Sequence, residues 1–334
     1  EALTVLRRYV IKRLLIAIPV LLVISFVVFL VIELPPGSFL DSRIEAMQKE
    51  GEVDWVEIEA LRDRYHFDRP LIIQYYHWIA GFVRGNLGKS FEDDAEVGEV
   101  LADLLPVTIA ISVCTLLFTW AIAIPFGIIA AVKRNTVWDY ILTFIGLAAM
   151  ATPAFVIALV FQVILQALWP GFDPTGLMSR QFVGQPLTMT AVWDVAAHLL
   201  VPILILGVGG TAGMIRILRA NVIDELKKQY VLCARARGLH PAVVILRYPV
   251  RVAINPLISS VGLILPRIIS GSVIVAQVLS LPTVGPKLLQ ALKSQDTYLA
   301  ASIVFIQCIL AVVGILLSDI LLAVVDPRIK FGGK

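Results

Sequence analysis

The sequence predicts an all-α integral membrane protein with six transmembrane helices and both termini in the cytoplasm. Of its 334 residues, 58% are hydrophobic and only 16% are charged. The mean hydropathy is +0.87. Soluble domains are about half apolar and about a quarter charged. The composition therefore favours a chain embedded in a bilayer over a soluble domain.

Six apolar intervals are long enough to cross a bilayer, which takes about 20 apolar residues each. Five of them contain no Asp, Glu, Lys or Arg, and the remaining one is interrupted only by Arg267. In chain order the intervals are 14–32, 104–132, 140–172, 195–215, 252–282 and 297–318. Their apolar residues are continuous rather than alternating, which indicates helices and not barrel strands.

The distribution of positive charge predicts the orientation. With the N-terminus inside, most of the 28 lysine and arginine residues fall in cytoplasmic segments, as the positive-inside rule requires. This bias explains the pI near 8.8 without a nucleic-acid surface. Arg7 and Arg8 also resemble a twin-arginine export signal. No small-residue cleavage pattern follows the apolar run, so 14–32 is kept as the first span.

The longest segment predicted outside the membrane is 33–103, followed by 169–194 and 283–296. Within the first, Gly88-Lys89-Ser90 ends like a phosphate-binding loop. That motif needs a glycine at position 83, which is valine, and a preceding strand. The chain is therefore predicted not to hydrolyse ATP itself.

The sequence also shows no catalytic, cofactor or metal pattern. The three cysteines, Cys114, Cys233 and Cys308, lie in predicted spans or on the inner side. None has a histidine or second cysteine at metal-site spacing. We therefore expect no catalytic residues, no metal site and no cofactor bound by this chain.

A short basic stretch, YVLCARARGLHP, lies in the predicted inner segment 219–252. It predicts a helix over 230–237 that ends at Gly238, with Pro241 starting the next element. One interpretation is that the basic residues here only fix the topology. The other is a partner-binding helix, because Ala234 and Ala236 allow close approach and the neighbouring arginines are suited to binding carboxylates.

At this stretch the sequence resembles the permease subunits of bacterial ABC importers of the oligopeptide, dipeptide and nickel type. YVLCARARGL and RYPVRVAINPLIS resemble the cytoplasmic loop of that family. Three other stretches resemble its first outer segment, its fifth span and its ending, namely YHFDRPLIIQYYHWIAGFVRGNLGKSF, ISGSVIVAQVLSLPTVG and DPRIKF. The resemblance covers nearly the whole chain in the expected order.

The resemblance implies a single type I permease domain over 1–334 in the bacterial inner membrane. It implies a second homologous permease, two cytoplasmic ATPase subunits that hold ATP and Mg, and an extracytoplasmic solute-binding protein as partners. It also implies that 219–252 docks the ATPase. The docking residues carried over by position are Tyr230, Ala234, Arg235, Ala236, Arg237, Gly238 and Leu239.

The solute implied is a peptide, with an oligosaccharide or another non-peptide solute as the alternative. Arg267, Gln277 and Gln162 are candidate pathway residues, because polar groups within membrane spans often line a cavity or join helices. Arg267 snorkelling or pairing with a partner subunit remains open, as does helix-to-helix hydrogen bonding by the two glutamines.

Two other classes of protein stay open at this point. A secondary transporter would need no ATPase, but it would usually carry acidic residues within its spans. The sequence shows no convincing chain of such residues. A membrane scaffold without transport would need neither Arg267 nor a docking helix.

Overall fold

The computed structural model describes residues 2–34, 39–50, 55–65, 69–186, 188–262 and 273–325. Across these ranges the chain is helical and forms no β-strand; one isolated bridge pairs Lys89 with Glu96. The all-α prediction is confirmed. The helices are α1 (Ala2–Glu33), α2 (Phe39–Glu50), α3 (Trp55–Tyr65), α4 (Leu71–Val83), α5 (Val97–Val132), α6 (Val137–Ala151), α7 (Ala154–Leu168), α8 (Met189–Leu226), α9 (Gln229–Ala236), α10 (Pro241–Arg247), α11 (Pro249–Ala253), α12 (255–262 as described), α13 (Val273–Val278), α14 (Val284–Lys293) and α15 (Thr297–Val325).

Five helical stretches are long and apolar enough to cross a membrane, and α6 with α7 makes a sixth if counted as one bent span. The five are Arg8–Glu33, Val97–Val132, Met189–Leu226, Pro241–Gly262 and Thr297–Val325. These stretches agree with the predicted six-span architecture. Which side of the membrane holds the termini stays a prediction.

The predicted continuous span 140–172 is wrong in one respect, because it is broken. The helices α6 and α7 meet at an angle of 102°. Thr152, between them, has an extended backbone with φ −89° and ψ 125°. Pro153 follows it, and a proline disfavours the helical conformation of the residue before it. Pro153 therefore favours a bend at this position.

The fifth predicted span also differs at its inner boundary. We expected it to begin at Val252, whereas the apolar helical stretch of the structure is Pro241–Gly262. Arg247 and Arg251, within the predicted inner segment 219–252, lie in a series of short and mostly apolar helices. Residues 263–272 lie outside the described residues.

Helix α8 continues beyond the predicted end of the fourth span. It has 38 residues, which corresponds to about 57 Å at 1.5 Å per residue. A bilayer core is about 30 Å thick. Thr188 begins the helix, and its side-chain oxygen accepts a hydrogen bond from the Ala191 N–H at 3.3 Å. The C-terminal end of α8 thus leads to the candidate docking helix α9.

The chain forms two compact units that interleave in sequence. The first consists of Glu1–Val10, Ile109–Leu281 and Ala311–Lys334, and the second of Ile11–Thr108 and Pro282–Leu310. Whether they act as one domain over 1–334 stays a prediction.

The core of the first unit joins the C-terminal ends of α5 and α8 with α11 and α12. Its fully buried members are Ala131, Leu218, Val222, Val250, Ala253 and Leu257. Elsewhere in this unit α12 approaches α15 closely at Gly262. A Cβ there would lie 2.5 Å from the Ile315 Cα, so only glycine permits the contact. Ser318 adds a hydrogen bond of 2.7 Å to the Ile258 carbonyl.

The core of the second unit is aromatic. Trp78 of α4 is only 1% exposed, and its ring lies 5.6 Å from Phe29 and 5.7 Å from Phe305. Its indole N–H donates to the Ser302 hydroxyl at 3.3 Å. A buried indole normally finds such a partner. Helix α4, which begins at Leu71, is therefore packed on α1 and α15 through its aromatic face.

Candidate functional site

Helix α9 is the eight-residue element that matches the predicted docking helix. It ends at Ala236, after which the Gly238 N–H donates to the Arg235 carbonyl at 3.0 Å. Gly238 has φ +74°, a conformation that costs other residues roughly 1–2 kcal/mol. The predicted helix and its glycine stop are confirmed; its docking role stays a prediction.

One face of α9 is packed on its own chain. Val231 and Ala234 are buried against Val244 of α10. Tyr230 is half-buried at the edge of this cluster, and its hydroxyl donates a hydrogen bond to the Glu225 carboxylate. Ala234 therefore stabilises α9 on its own chain and leaves close approach by a partner to the other face.

The opposite face of α9 is exposed. Arg235, Ala236 and Arg237 are all open to solvent, as is Leu239 after the helix. Leu232 is 53% exposed, and it lies four residues before Ala236, so both are on one face. The sequence analysis missed Leu232, although helical periodicity counted back from Ala236 would have found it. The result is a small apolar strip bordered by two guanidinium groups, which suits a groove lined with carboxylates.

A charge pair joins α8 to α6 in the same unit. The Arg219 Nε donates to one carboxylate oxygen of Asp139 at 2.6 Å, and its Nη2 donates to the other at 2.7 Å. The side chain of Asp139 is 4% exposed and that of Arg219 is 29% exposed. The Asn135 N–H adds a third bond to Asp139, at 2.9 Å. Sequence analysis used Asp139 only as a span boundary and did not identify this pair.

The candidate pathway residues have three different outcomes. Gln162 of α7 donates from its amide nitrogen to the Val278 carbonyl at 3.1 Å, at the end of α13. Gln277 is exposed on α13. Arg267 lies outside the described residues. A pathway role for these side chains stays a prediction, and the geometry of Gln162 is that of a bond between helices.

A second buried carboxylate, which sequence analysis also missed, lies in the other unit. Asp296 accepts from the Ser90 hydroxyl at 2.6 Å and from the Phe91 N–H at 2.7 Å. It also accepts from the Glu92 N–H at 3.4 Å and, at the start of α15, from the Leu299 N–H at 3.1 Å. Burial raises the pKa of the Asp296 carboxyl, against the opposing effect of these hydrogen bonds.

The second unit also contains a cavity of about 300 Å³ beside α4. Its wall includes His77, Asn86, Lys89, Glu96 and Tyr298. Lys89 is already paired with Asp94. Within the described residues, no group of three His, Cys, Asp or Glu side chains is placed to hold a metal ion. The expectation that this chain binds no cofactor stays a prediction.

Comparison with known proteins gives two matches to protein families. Residues 123–331 match the family described as "Binding-protein-dependent transport system inner membrane component". Residues 6–112 match the N-terminal region of the same kind of component. The two matches together cover the segment 33–103 and the segment 219–252 that carries α9.

Relatives of known name are similar over nearly the full chain. The oligopeptide transport system permease protein AppB of Bacillus subtilis is 30% identical over 97% of this chain and 99% of its own length. The corresponding values for OppB, the oligopeptide permease of Haemophilus influenzae, are 29%, 97% and 99%. For the nickel import system permease protein NikB of Staphylococcus aureus they are 28%, 96% and 90%.

These matches agree with the apolar helices and with the family resemblance of the α9 region. Helices of this length and number identify a multi-pass membrane protein. The chain therefore belongs to the family of inner-membrane components of binding-protein-dependent transport systems, the permease subunits of ABC importers.

Proposed function

We propose that this chain is one of two permease subunits of an ATP-driven importer and forms half of the pathway for a peptide-type solute. Both termini and the segment 219–252 lie in the cytoplasm on this proposal. Separate ATPase subunits bind there and hydrolyse ATP, and an extracytoplasmic solute-binding protein delivers the solute to the outer segments.

The exposed face of α9 is the observation that carries this proposal. A basic loop that only fixed topology would need charge and no particular shape. Here Val231 and Ala234 anchor the helix to its own chain, while Arg235 and Ala236 remain exposed. Gly238 then turns the chain away in a left-handed conformation. An anchored helix with one open face is suited to helix-in-groove recognition.

The solute class is supported by the names of relatives. Two of the three relatives described above are named oligopeptide permeases, and the third is a nickel import permease. We therefore propose a peptide as the solute. Nickel and an oligosaccharide are the competing outcomes of an uptake assay.

Co-purification from the native membrane tests the docking role. The chain is extracted in mild detergent, and the proteins that accompany it are identified by mass spectrometry. The Gly238→Asp substitution strains the left-handed turn and adds a negative charge beside Arg235 and Arg237. We expect ATPase subunits with the parent chain and at least a tenfold loss with the variant.

Gly171→Asp is the matched control. Gly171 also has positive φ and open space around its Cβ, but it lies after α7 rather than beside α9. We expect it to retain the ATPase subunits. Absence of any ATPase from the parent preparation would contradict the proposal and favour a secondary transporter.

The solute is tested in right-side-out membrane vesicles that contain the complete importer. Uptake of a labelled tripeptide mixture is compared with uptake of labelled malto-oligosaccharides and of nickel ions. ATP-dependent uptake of the peptides is expected. Uptake of nickel or of the oligosaccharides alone would contradict the proposal of a peptide solute, while leaving the docking proposal intact.

A further inference from the structure

The bent pair of helices α6 and α7 has a polar attachment at each of its two arms. At the start of α6, Asp139 is bound by the forked guanidinium of Arg219. On α7, Gln162 binds the Val278 carbonyl at 3.1 Å. Polar contacts between membrane helices hold their register more specifically than apolar packing does. The bent pair is therefore held to α8 at one arm and to α13 at the other.

The first attachment lies near the end of α8 that precedes α9. Arg219 is about two turns before the end of α8 at Leu226. Leu226 packs on the cluster formed by Val231, Ala234 and Val244. Helix α8 is unbroken from Arg219 to Leu226, and two residues link it to α9. The packing of Leu226 is therefore the contact through which a displacement of α9 would act on α8 and on the guanidinium.

The Arg219–Asp139 pair is suited to transmitting a change in the orientation of α8 to α6. Two parallel N–H to carboxylate bonds fix orientation as well as distance, which a single charge contact does not. The Asn135 N–H holds the same carboxylate from the loop between α5 and α6. Because Asp139 is 4% exposed, water does not substitute readily for these donors.

The second attachment reaches the segment that carries Gln277. The end of α13 is held by Gln162 through Val278, and the following carbonyl, that of Leu279, accepts from the Gly176 N–H at 2.8 Å. Gln277 itself is exposed one residue before Val278. A rotation of α6 and α7 therefore acts on the backbone next to Gln277.

We infer that Arg219, Asp139 and Gln162 are positioning residues that make the α6–α7 pair the link between α9 and the α13 segment. The inference rests on the proposed function, since it assumes that a partner ATPase moves α9. Such a coupling between separate sites requires that both bias one common element. The α6–α7 pair is that element.

A thiol at position 277 gives a readout that simple loss of stability would not change. The Cys114→Ser, Cys233→Ser and Cys308→Ser substitutions remove the native thiols, and Gln277→Cys introduces one. The complete importer is purified, and the rate of maleimide labelling is compared without nucleotide and after trapping with ATP and vanadate. The change is normalised to the ATP hydrolysed by the same preparation.

We expect trapping to change the labelling rate at least about fivefold, the lower limit of typical coupling between sites. Arg219→Lys keeps the charge but loses the fork, and Gln162→Leu breaks the other attachment. Either variant should reduce the change to less than about twofold. Because both act on one link, the double variant should be no worse than either single variant.

Arg134→Gln is the control, since Arg134 lies in the loop between α5 and α6 and acts on Asp139 through its charge, not through the fork. It should keep the full labelling change. A full change in either the Arg219→Lys or the Gln162→Leu variant would overturn the inference, as would no change in the parent importer. Loss of the ATPase from the parent preparation would instead overturn the proposed function on which the inference rests.

Discussion

Two aspartates that are buried among the described residues show two ways of holding a carboxylate. In the first unit, Asp139 binds a guanidinium from a helix 80 residues away in sequence. In the second unit, the donors to Asp296 within the described ranges are neutral, namely one hydroxyl and three backbone N–H groups. The first arrangement matches one charge to another across two helices. The second uses a carboxylate to shape a loop and to begin a helix.

The comparison teaches that burial of a carboxylate does not by itself define its role. Asp139 is paired with a guanidinium that also needs a hydrogen-bond partner, so loss of the pair affects both α6 and α8. The donors around Asp296 are largely local backbone groups of 90–92 and of the first turn of α15. Substitutions at the two sites should therefore differ in size and in extent.

The largest effect is expected for Arg219→Ala. It leaves Asp139 buried without its counter-charge, which costs about 3–5 kcal/mol in a fully buried pair. Because Arg219 is 29% exposed, we expect about 2–3 kcal/mol instead. The measurement is the apparent melting temperature in detergent. Asp139→Ala should cost less, since the remaining arginine can reach water, and a larger cost for Asp139→Ala would contradict this account.

Asp296→Ala should have a smaller and more local effect. It removes the acceptor for the Ser90 hydroxyl and for the first turn of α15. Loss of such a helix-capping side chain costs about 1–2 kcal/mol. We expect faster limited proteolysis near residues 90–94 and little change elsewhere. Uniformly faster proteolysis across the chain would show that the carboxylate stabilises more than this loop.

A pH series should sharpen the difference further. The pKa of Asp296 is raised by burial above its ordinary value of 3.8. The native state then holds its proton at pH values where the unfolded chain has lost it. Stability from this group is therefore greatest in acid and falls as pH rises from about 3.8 through the raised pKa. Relative to Asp296→Asn, which does not titrate, the parent chain should gain melting temperature on acidification. A gain on raising the pH would reverse the sign and contradict this account.

The smallest effect, with no loss of stability, is expected from labelling Cys233. Its thiol is exposed on α9, 14 residues beyond Arg219. A membrane-impermeant maleimide should label it in inside-out vesicles and not in intact cells. Cys233→Ser supplies the background from the other two cysteines. Labelling of Cys233 in intact cells would place α9 outside the cell and overturn the proposed orientation.

The helices were predictable because lipid leaves the backbone few alternatives. Continuous apolar runs such as 14–32 must satisfy their own hydrogen bonds and therefore form helices. The stop at Gly238 was predictable for a similarly local reason, since glycine favours the left-handed turn that ends α9. In both cases the deciding physics lies within a few residues of sequence.

The bend between α6 and α7 was missed, and its local signal is only partial. Pro153 stands in the middle of the run 140–172 and disfavours a helical Thr152. A proline does not by itself divide a span, because Pro19 and Pro202 lie inside the unbroken helices α1 and α8. Counting prolines inside each apolar interval would therefore not have located this bend.

The polar attachments could not have been found in this way. Asp139 and Arg219 are joined only by tertiary packing, and each alone resembles an ordinary boundary charge. The same is true of Asp296 and Ser90, which are 206 residues apart. The burial of Ala234 was also hidden, because the sequence of α9 does not state which face Val244 covers.

On the proposed docking role, the division of α9 into an anchored face and an open face would make its partner preference transferable. Val231, Ala234 and Val244 hold the helix in place, whereas the open face adds nothing to that packing. Exchanging Leu232, Arg235 and Ala236 for the corresponding residues of another permease should then make this subunit bind the ATPase of that other importer, while the fold stays intact. Such three-residue exchanges would allow hybrid importers to be assembled in which this permease is driven by the ATPase of a different importer.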